Sequence, residues 1–503
     1  MVSDQSISKK IVVLHGSPKG SQSITFQYIK FLQKLHPQYI YTIFNVSQKA
    51  KVLENKPERM KEIINEMEKS DLILWSFPLY YMLVHSGLKR FIEILFEMNA
   101  YTQLKGKNVA AISTSIKFYD HTAHNYIHAV SEDLGMNYIA GASFHMQDLM
   151  KKKTKLKVES FFHYLTNLIN TPVNVIPRFR ALAPINSTTL LSNINNNTEA
   201  DNKNVPHLEY LDEKLKDGLK EITISIITDI KNNNSKENRN LQNIVDFIEF
   251  HLPGQVQRID INNVDIKGRC MGCLRCGYNN KCLYHVQDGY YEFAEQYFKQ
   301  SDLIFIASPM RDRFLTSRWQ NVFERFFYNC HTPSLIGKHI GHIITGPINQ
   351  ELNLQEICIA FAEMHDATHV GFISDNFTGR GLEKEKFDVH HIEEIYLDEL
   401  RRILLMVKND VQLHTSRREG GRRIFRDEIY GGLNMVFQTD HRAYKKQKIY
   451  KTFPQKSRKL NRILSFFMRG LQKIPRFRKK MRSMMPKYLI MPYKRVLNEK
   501  KRN

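Results

Sequence analysis

Four cysteines crowd into thirteen residues of this chain, within GRCMGCLRCGYNNKCLYH: Cys270, Cys273, Cys276 and Cys282, spaced C-x2-C-x2-C-x5-C. Three thiolates two residues apart can wrap one face of a metal centre, and a fourth close by can complete it. Ligation by four cysteines is what a [4Fe–4S] cluster needs, and compact C-x2-C-x2-C runs are its usual sequence form. Structural zinc more often pairs two C-x2-C knuckles across a longer loop. A redox disulfide or free thiols from one C-x-x-C pair is the third reading. Cys330 and Cys358 stand apart in helical, partly apolar contexts and read as packing residues.

A second chemical stretch, HGSPKGSQSIT at 15–25, follows an apolar run and leads into a helical pattern. Gly16 and Gly20 would let the backbone turn tightly and approach a ligand. Ser17, Ser21, Ser23 and Thr25 offer hydroxyls, and the helix start adds N–H groups and positive dipole, together a site for phosphate. The spacing is neither G-x-G-x-x-G nor a Walker A loop, which weighs against a dinucleotide or NTP site. A Ser-rich turn that only caps a helix is the competing reading.

These stretches need elements to place them, and an internal repeat supplies the frame. SDLILWSFPLYYMLVHSGLKRFIEILFE, ending at Glu97, recurs 231 positions later as SDLIFIASPMRDRFLTSRWQNVFERFFY, ending at Tyr328. The offset holds downstream, from Gly106 to Gly337. Such self-similarity means two copies of one unit. In the first, KIVVLHG, YTIFNVS, DLILWSFP, NVAAISTS and MNYIAGASF read as buried strands separated by helical patterns. In the second, the strands are ITISIITD, QVQRIDIN, DLIFIASP, HIGHIITG and THVGFISD. Strands alternating with helices imply right-handed crossovers and parallel sheets. The predicted fold class is α/β, two tandem flavodoxin-like doubly wound five-stranded sheets in the order 2-1-3-4-5, followed by a basic helical tail. The expected divisions are 8–175, a polar linker 176–218, 219–410 and a tail 411–503.

Loops at the carboxyl ends of such strands face a ligand crevice. Besides the phosphate loop, the first unit brings there SFPLYYM, with Pro78, Leu79, Tyr80 and Tyr81, and STSIKFYD, with Ser113, Thr114 and Ser115. A phosphate cradle, an aromatic wall and small hydroxyls fit FMN. On GSPKGSQSIT and SFPLYYMLVHSGLKRFIE the first unit resembles the NADPH-dependent FMN reductase and quinone reductase branch of the flavodoxin-like superfamily. The resemblance implies that Ser17, Lys19, Ser21, Ser23 and Thr25, around Gly20, hold the FMN phosphate. It places Pro78, Leu79, Tyr80 and Tyr81 beside the isoalloxazine and Ser113, Thr114 and Ser115 on its other side. NAD(P)H would deliver hydride, and a quinone, flavin or other small molecule would accept electrons. The second unit, on its four cysteines and SDLIFIASP, is similar to the iron–sulfur flavoproteins. It departs from them at TDIKNNNSKENRN, 228–240, where glycines are gone and Asp229 stands at the position of Pro18, so FMN is not expected there. Members of the superfamily often pair two subunits across the flavin, which implies an internal pseudo-dimer or a homo-oligomer.

The net charge of +23 on 503 residues would suit a nucleic-acid binder if it were spread evenly. It is not. Residues 441–503 hold 22 Lys/Arg and one acid, leaving 52 basic and 50 acidic residues before them. The basicity is a tail, and its Lys and Arg alternate with Phe, Ile, Leu, Met and Tyr. RILSFFMRGLQKI reads as an amphipathic helix for an anionic membrane interface. Packing onto the protein is the second reading; nucleic acid is disfavoured, as is a merely solvated, disordered segment. GGRRIFRDEIYGGLNMVFQTDHRAYKK resembles C-terminal extensions of tandem flavodoxin-like oxidoreductases, which implies docking for that part. With no secretory pattern at MVSDQSISKKIVVLHG and no long apolar run, the expected place is the cytoplasm, peripheral to a membrane where the tail docks. The expected function is a flavin-dependent NAD(P)H oxidoreductase. Its rival is a non-enzymatic pair of degenerate units with a binding tail.

Overall fold

In the computed structural model, residues 9–171, 173, 175–182, 213–230, 235–329, 332–376, 389–451 and 459–498 are described. Cys330, most of the Asn-rich linker and part of the 228–240 loop lie outside them. The first unit holds β1 (Lys10–His15), β2 (Ile40–Phe44), β3 (Leu72–Tyr80), β4 (Leu83–Val84), β5 (Asn108–Ser115) and β6 (Asn137–His145). The second holds β7 (Thr223–Thr228), β8 (Gln255–Asp260), β9 (Leu303–Pro309), β10 (His339–Thr345) and β11 (Thr368–Ser374). The sheet orders are β2-β1-β3-β5-β6 and β8-β7-β9-β10-β11, with parallel pairing throughout these paths; β4 adds antiparallel to β3, and an isolated antiparallel bridge between Arg311 and Phe314 stands at the equivalent place of the second unit. Both are the flavodoxin-like order read from the sequence. The central strands are continuous apolar runs because helices cover both faces, and Ile11, Val13, Leu72 and Leu74 are fully buried.

The short β4, which the sequence pattern misses, matters for the site. It closes a hairpin on β3, pairing Leu79 with Val84 and Tyr80 with Leu83. The two loop residues, Tyr81 and Met82, both have positive φ, 49° and 64°. This is the primed-turn backbone that suits right-twisted strands, but it normally takes Gly or Asn. Bulky residues held there mark stored strain, the kind that clusters at functional sites.

The repeat has a geometric counterpart. The helices Ser86–Glu97 and Ser317–Arg325 pack against each other, and each feeds a carboxylate to the other's start. Glu324 accepts hydrogen bonds from Ser86 N at 3.0 Å and Ser86 Oγ at 2.7 Å. Glu93 accepts from Ser317 N at 2.6 Å and Ser317 Oγ at 2.7 Å. Ser86 with Ser317, and Glu93 with Glu324, are the same two positions of the repeat at the 231 offset. Carboxylates at helix N-termini satisfy orphan N–H groups and favour the dipole. The two units therefore join through one motif used twice.

Two expectations on boundaries change. Residues 213–217 form a helix, and Leu215 and Leu219 are buried in the second core, so the linker ends earlier than 218. In the tail, the docking implied for GGRRIFRDEIYGGLNMVFQTDHRAYKK is seen, and it extends further along the chain. Helices Ser416–Gly431 and Gln438–Lys446 dock on the two units, and Pro475–Asn498 lies along the first unit. There Tyr493 is buried near Tyr28, with ring centres 6.2 Å apart, and Lys34 Nζ donates to the carbonyl of Leu497.

Candidate functional site

The strand-end loops of the first unit open into one cavity of about 310 Å³. Its floor holds Ser17, Lys19 and Ser23 from the phosphate loop, Pro78, Leu79, Tyr80 and Tyr81 from the hairpin, and Thr114 and Ser115 after β5. Gly20, Ser21, Thr25 and Ser113 of the predicted set do not line it. Thr25 is buried against Thr114, Oγ1 to Oγ1 at 2.6 Å, and Ser113 Oγ pairs with His124 Nε2 at 2.8 Å. These two brace the site from beneath, while Ser21 is exposed beside it.

The loop is held by a histidine that the sequence reading passed over. His15, at the end of β1, places Nε2 2.9 Å from Ser23 Oγ and 3.1 Å from the Gly20 carbonyl, with Nδ1 3.3 Å from Ser76 Oγ. Ser23 Oγ also accepts from Phe26 N and so caps the helix Ile24–Leu35. Burial holds the His15 ring neutral, with its pKa lowered to about 4. Gly16 is required by packing: a Cβ there would stand 2.4 Å from Leu88 Cδ2.

One wall comes from the second unit. Cys270, Gly272, Leu274, Glu324 and Phe327 line the same cavity. Gly272, at φ +57°, is the knuckle of the contact, since a Cβ there would meet Tyr80 Oη at 2.4 Å and Lys19 Cε at 3.2 Å. The cysteine loop is tied down by Glu324, which also accepts from Cys270 N at 3.0 Å, and by His85 Nε2, 3.1 Å from the Cys270 carbonyl. Gln320 donates to the carbonyls of Tyr80 (2.9 Å) and Val84 (3.0 Å), pinning the strained hairpin from across the interface. Tyr81 Oη meets His365 Nε2, and their rings stack.

The electrostatics follow from this enclosure. Burial pushes the Glu324 carboxyl up to about 7, against the hydrogen bonds from Ser86 and Cys270 that favour its charge. Burial lowers the Lys19 ammonium, and the Cys270 and Cys273 sulfurs facing it work the other way. Burial raises the Cys276 thiol, and the sulfurs of Cys270, Cys273 and Cys282 raise it further, so all four cysteines act on one another. Among the described residues, no three His, Cys, Asp or Glu side chains stand together as ligands of one metal ion. Buried Cys358 belongs to the core, as its context suggests.

The roof was not foreseen. Phe425, Glu428, Ile429, Leu433 and Phe437 of the C-terminal region, with Leu489, close the cavity from above. The helix Ser416–Gly431, which carries Phe425, Glu428 and Ile429, is anchored by Arg417 on Glu356 (2.9 and 2.5 Å) and Arg422 on Asp366 (2.5 Å). Phe425 meets Phe118 edge to face at 5.5 Å.

The equivalent place in the second unit is built differently. The registers correct the expected equivalence: Thr228 pairs with Ala307 as His15 pairs with Ser76, so Asp229 stands at the position of Gly16 and not of Pro18. Buried Asp229 accepts from Asn262 Nδ2 at 2.8 Å and from Thr316 Oγ1, which puts a carboxylate at the start of this loop. Asp312 replaces Tyr81 and binds Lys89 Nζ at 2.8 Å. Burial pushes Asp312 up to about 7, with Lys89 drawing it partway back.

Residues 9–148 match the model of the NADPH-dependent FMN reductase family. No curated protein matches the chain. Among solved structures, it is similar to a flavoenzyme NAD(P)H:(acceptor) oxidoreductase from Paracoccus denitrificans, at 20% identity over 32% of this chain and 97% of that one, TM-score 0.28. It is also similar to an FMN-dependent NADH-azoreductase from Bacillus anthracis, at 14% identity over 31% and 99%, TM-score 0.25. An apo NADH:FMN oxidoreductase matches at 15% identity over 34% and 94%, TM-score 0.28. The first unit thus carries the sequence model of the FMN reductases on a flavodoxin-like sheet.

Proposed function

We propose that the chain is a flavin-dependent NAD(P)H oxidoreductase that holds one FMN in the first unit and passes electrons to a small acceptor. The observation that carries this reading is the convergence of three strand-end loops of the first unit on one walled cavity. When bound there, FMN would supply hydride chemistry from a nicotinamide, for which the protein provides orientation and electrostatics. Ser17, Lys19 and Ser23 would face its phosphate, helped by the helix start at Ile24. The apolar roof of Phe425, Ile429, Leu433 and Phe437 would exclude water, and Tyr80 and Tyr81 would bound the flat ring. Glu324 and Gln320 fix the hairpin and the cysteine loop, so no loop needs to move to complete the wall. The mixed donors and carboxylate of the second unit do not fit a flavin phosphate, which leaves that unit as the wall and cysteine bearer.

The four cysteines would hold a [4Fe–4S] cluster beside this cavity. What supports this is the spacing C-x2-C-x2-C-x5-C of Cys270, Cys273, Cys276 and Cys282, the compact form in which four cysteines commonly ligate such a cluster. Lys19 and Arg482 both face Cys273 and would offset the charge of such a centre. A quinone, a flavin or another small molecule is the expected acceptor, and a place at the periphery of a membrane suits the basic tail. The reading is tested by anaerobic purification, with FMN and iron counted per chain and NADH or NADPH oxidation followed with a quinone acceptor. Bound FMN with nicotinamide oxidation supports it. A protein that neither retains nor takes up FMN contradicts it.

A further inference from the structure

The helix Lys459–Leu471 is amphipathic, as its sequence pattern foretells, but it is docked the wrong way round for a packing helix. Its inward side is polar. Ser465 and Gln472 are only 4% and 5% exposed, Gln472 Oε1 accepts from Gln438 Nε2 at 2.5 Å, and Arg469 lies 3.0 Å from His441 Nε2. Its outward side is apolar: Ile463, Leu464, Phe466, Phe467, Leu471 and the following Ile474 are all exposed, Phe466 and Phe467 by 67% and 63%. At 100° per residue these six occupy one continuous arc, opposite Ser465 and Gln472. A soluble helix normally buries that face. A contiguous exposed patch of this kind marks an interaction surface rather than scattered surface residues.

Charge decides what the surface meets. Lys473, Arg476, Lys479 and Lys480 follow the patch and are exposed, and residues 441–503 carry 22 Lys/Arg against one acid. Aromatic and aliphatic side chains flanked by an almost purely cationic segment match the boundary of an anionic bilayer, where rings bury and basic groups meet headgroups. A second copy of the chain would bring like charges together. We infer that the outward face of helix 459–471, with Ile474, is a docking surface for anionic lipid bilayers. The helix packs on Ser416–Gly431 and Leu433–Met435, which carry roof residues of the cavity, so docking would set the roof one layer from the bilayer. The inference stands apart from the flavin reading, because lipid binding needs no flavin.

The test is co-sedimentation of the full-length protein with vesicles of phosphatidylcholine, with and without phosphatidylglycerol. Binding is expected only with the anionic lipid, and to fall steeply at about 1 M salt, where the screening length is about 3 Å. Phe466→Ser/Phe467→Ser should lower the partition about tenfold or more while leaving the thermal unfolding midpoint unchanged, since these rings touch solvent. Phe467→Trp keeps the apolar face, and the emission of the new indole should be quenched by brominated phosphatidylglycerol. Three results would overturn the inference: vesicle binding that the double serine variant leaves intact, an indole in Phe467→Trp that brominated lipid does not quench, or tight binding of a duplex oligonucleotide with none to vesicles. A dimer that dissociates in the double serine variant would also overturn it and assign the face to self-association.

Discussion

Glu324→Ala tests the joint between the two units. The side chain is buried and accepts three hydrogen bonds, from Ser86 N, Ser86 Oγ and Cys270 N. Alanine can accept none of them. The Ser86 hydroxyl can turn to another acceptor, but the two backbone N–H groups are fixed by the helix start and by the cysteine loop. Each buried donor left unpaired costs about 1–3 kcal/mol. Loss of the buried side-chain methylenes adds about 1 kcal/mol. Measured at about pH 5, below the raised carboxyl value so that little ionisation cost offsets it, the worked loss is about 3–7 kcal/mol, a large share of the roughly 5–15 kcal/mol that holds a folded domain. Ser86→Ala removes one donor and keeps the carboxylate, so it should cost only about 1–2 kcal/mol. Urea unfolding of the wild type and both variants gives the midpoints, with Glu62→Ala as a surface control, since that carboxylate is exposed and pairs with the exposed Arg59. The cysteine loop should also loosen, so Cys270 should react faster with a thiol reagent in Glu324→Ala than in Ser86→Ala. A loss below about 1 kcal/mol for Glu324→Ala, or equal losses for the two variants, refutes the joint.

Three further outcomes follow from the same geometry. His15 is neutral in the fold with its pKa lowered to about 4, against 6.5 unfolded, so the unfolded chain binds more protons between these values and the group's contribution is lost as pH falls. The stability advantage of wild type over His15→Gln should shrink by about 2 kcal/mol from pH 7 to pH 5, and denaturant midpoints at the two pH values read it. Gly272→Val puts a branched side chain at φ +57° and within 2.4 Å of Tyr80 Oη, which should weaken FMN uptake and cost about 1–3 kcal/mol; unchanged affinity by flavin fluorescence quenching would remove the cysteine loop from the wall. Cys273→Ser should abolish iron binding in anaerobic preparations while FMN uptake persists, and full iron content in that variant would exclude Cys273 as a ligand.

The central parallel strands were legible because strands buried on both faces are written as apolar runs, while the half-buried edge strands Ile40–Phe44 and Gln255–Asp260 were legible from their place between helical patterns; the 231 offset fixed the equivalence of the later strands. Alternation with helices implied parallel sheets, whereas the strand order came from the match to the flavodoxin-like fold and not from the pattern itself. The floor of the cavity was legible in part. Ser17, Lys19, Pro78 and Tyr80 are local to strand ends, whereas Thr25 and Ser113 turn inward for reasons of packing that no loop pattern carries. The reciprocal Ser–Glu joint was in the repeat all along: Ser86 and Glu93 recur as Ser317 and Glu324, and a polar pair kept through two diverged copies is a signal of contact. The roof was not legible, since Phe425, Ile429 and Phe437 look like any helix's apolar side until the chain folds over a distant loop. Nor was the orientation of helix 459–471, because an amphipathic pattern gives two faces and does not say which one meets the protein.

The proposed oxidoreductase function requires one FMN in the first unit. The direct measurement is the visible absorption spectrum of anaerobically purified protein, before and after incubation with FMN and desalting. The account predicts a flavin band equal to about one FMN per chain, abolished by Ser17→Asp, which sets a like charge against the phosphate. A spectrum without flavin after reconstitution, or an undiminished band in Ser17→Asp, would contradict it.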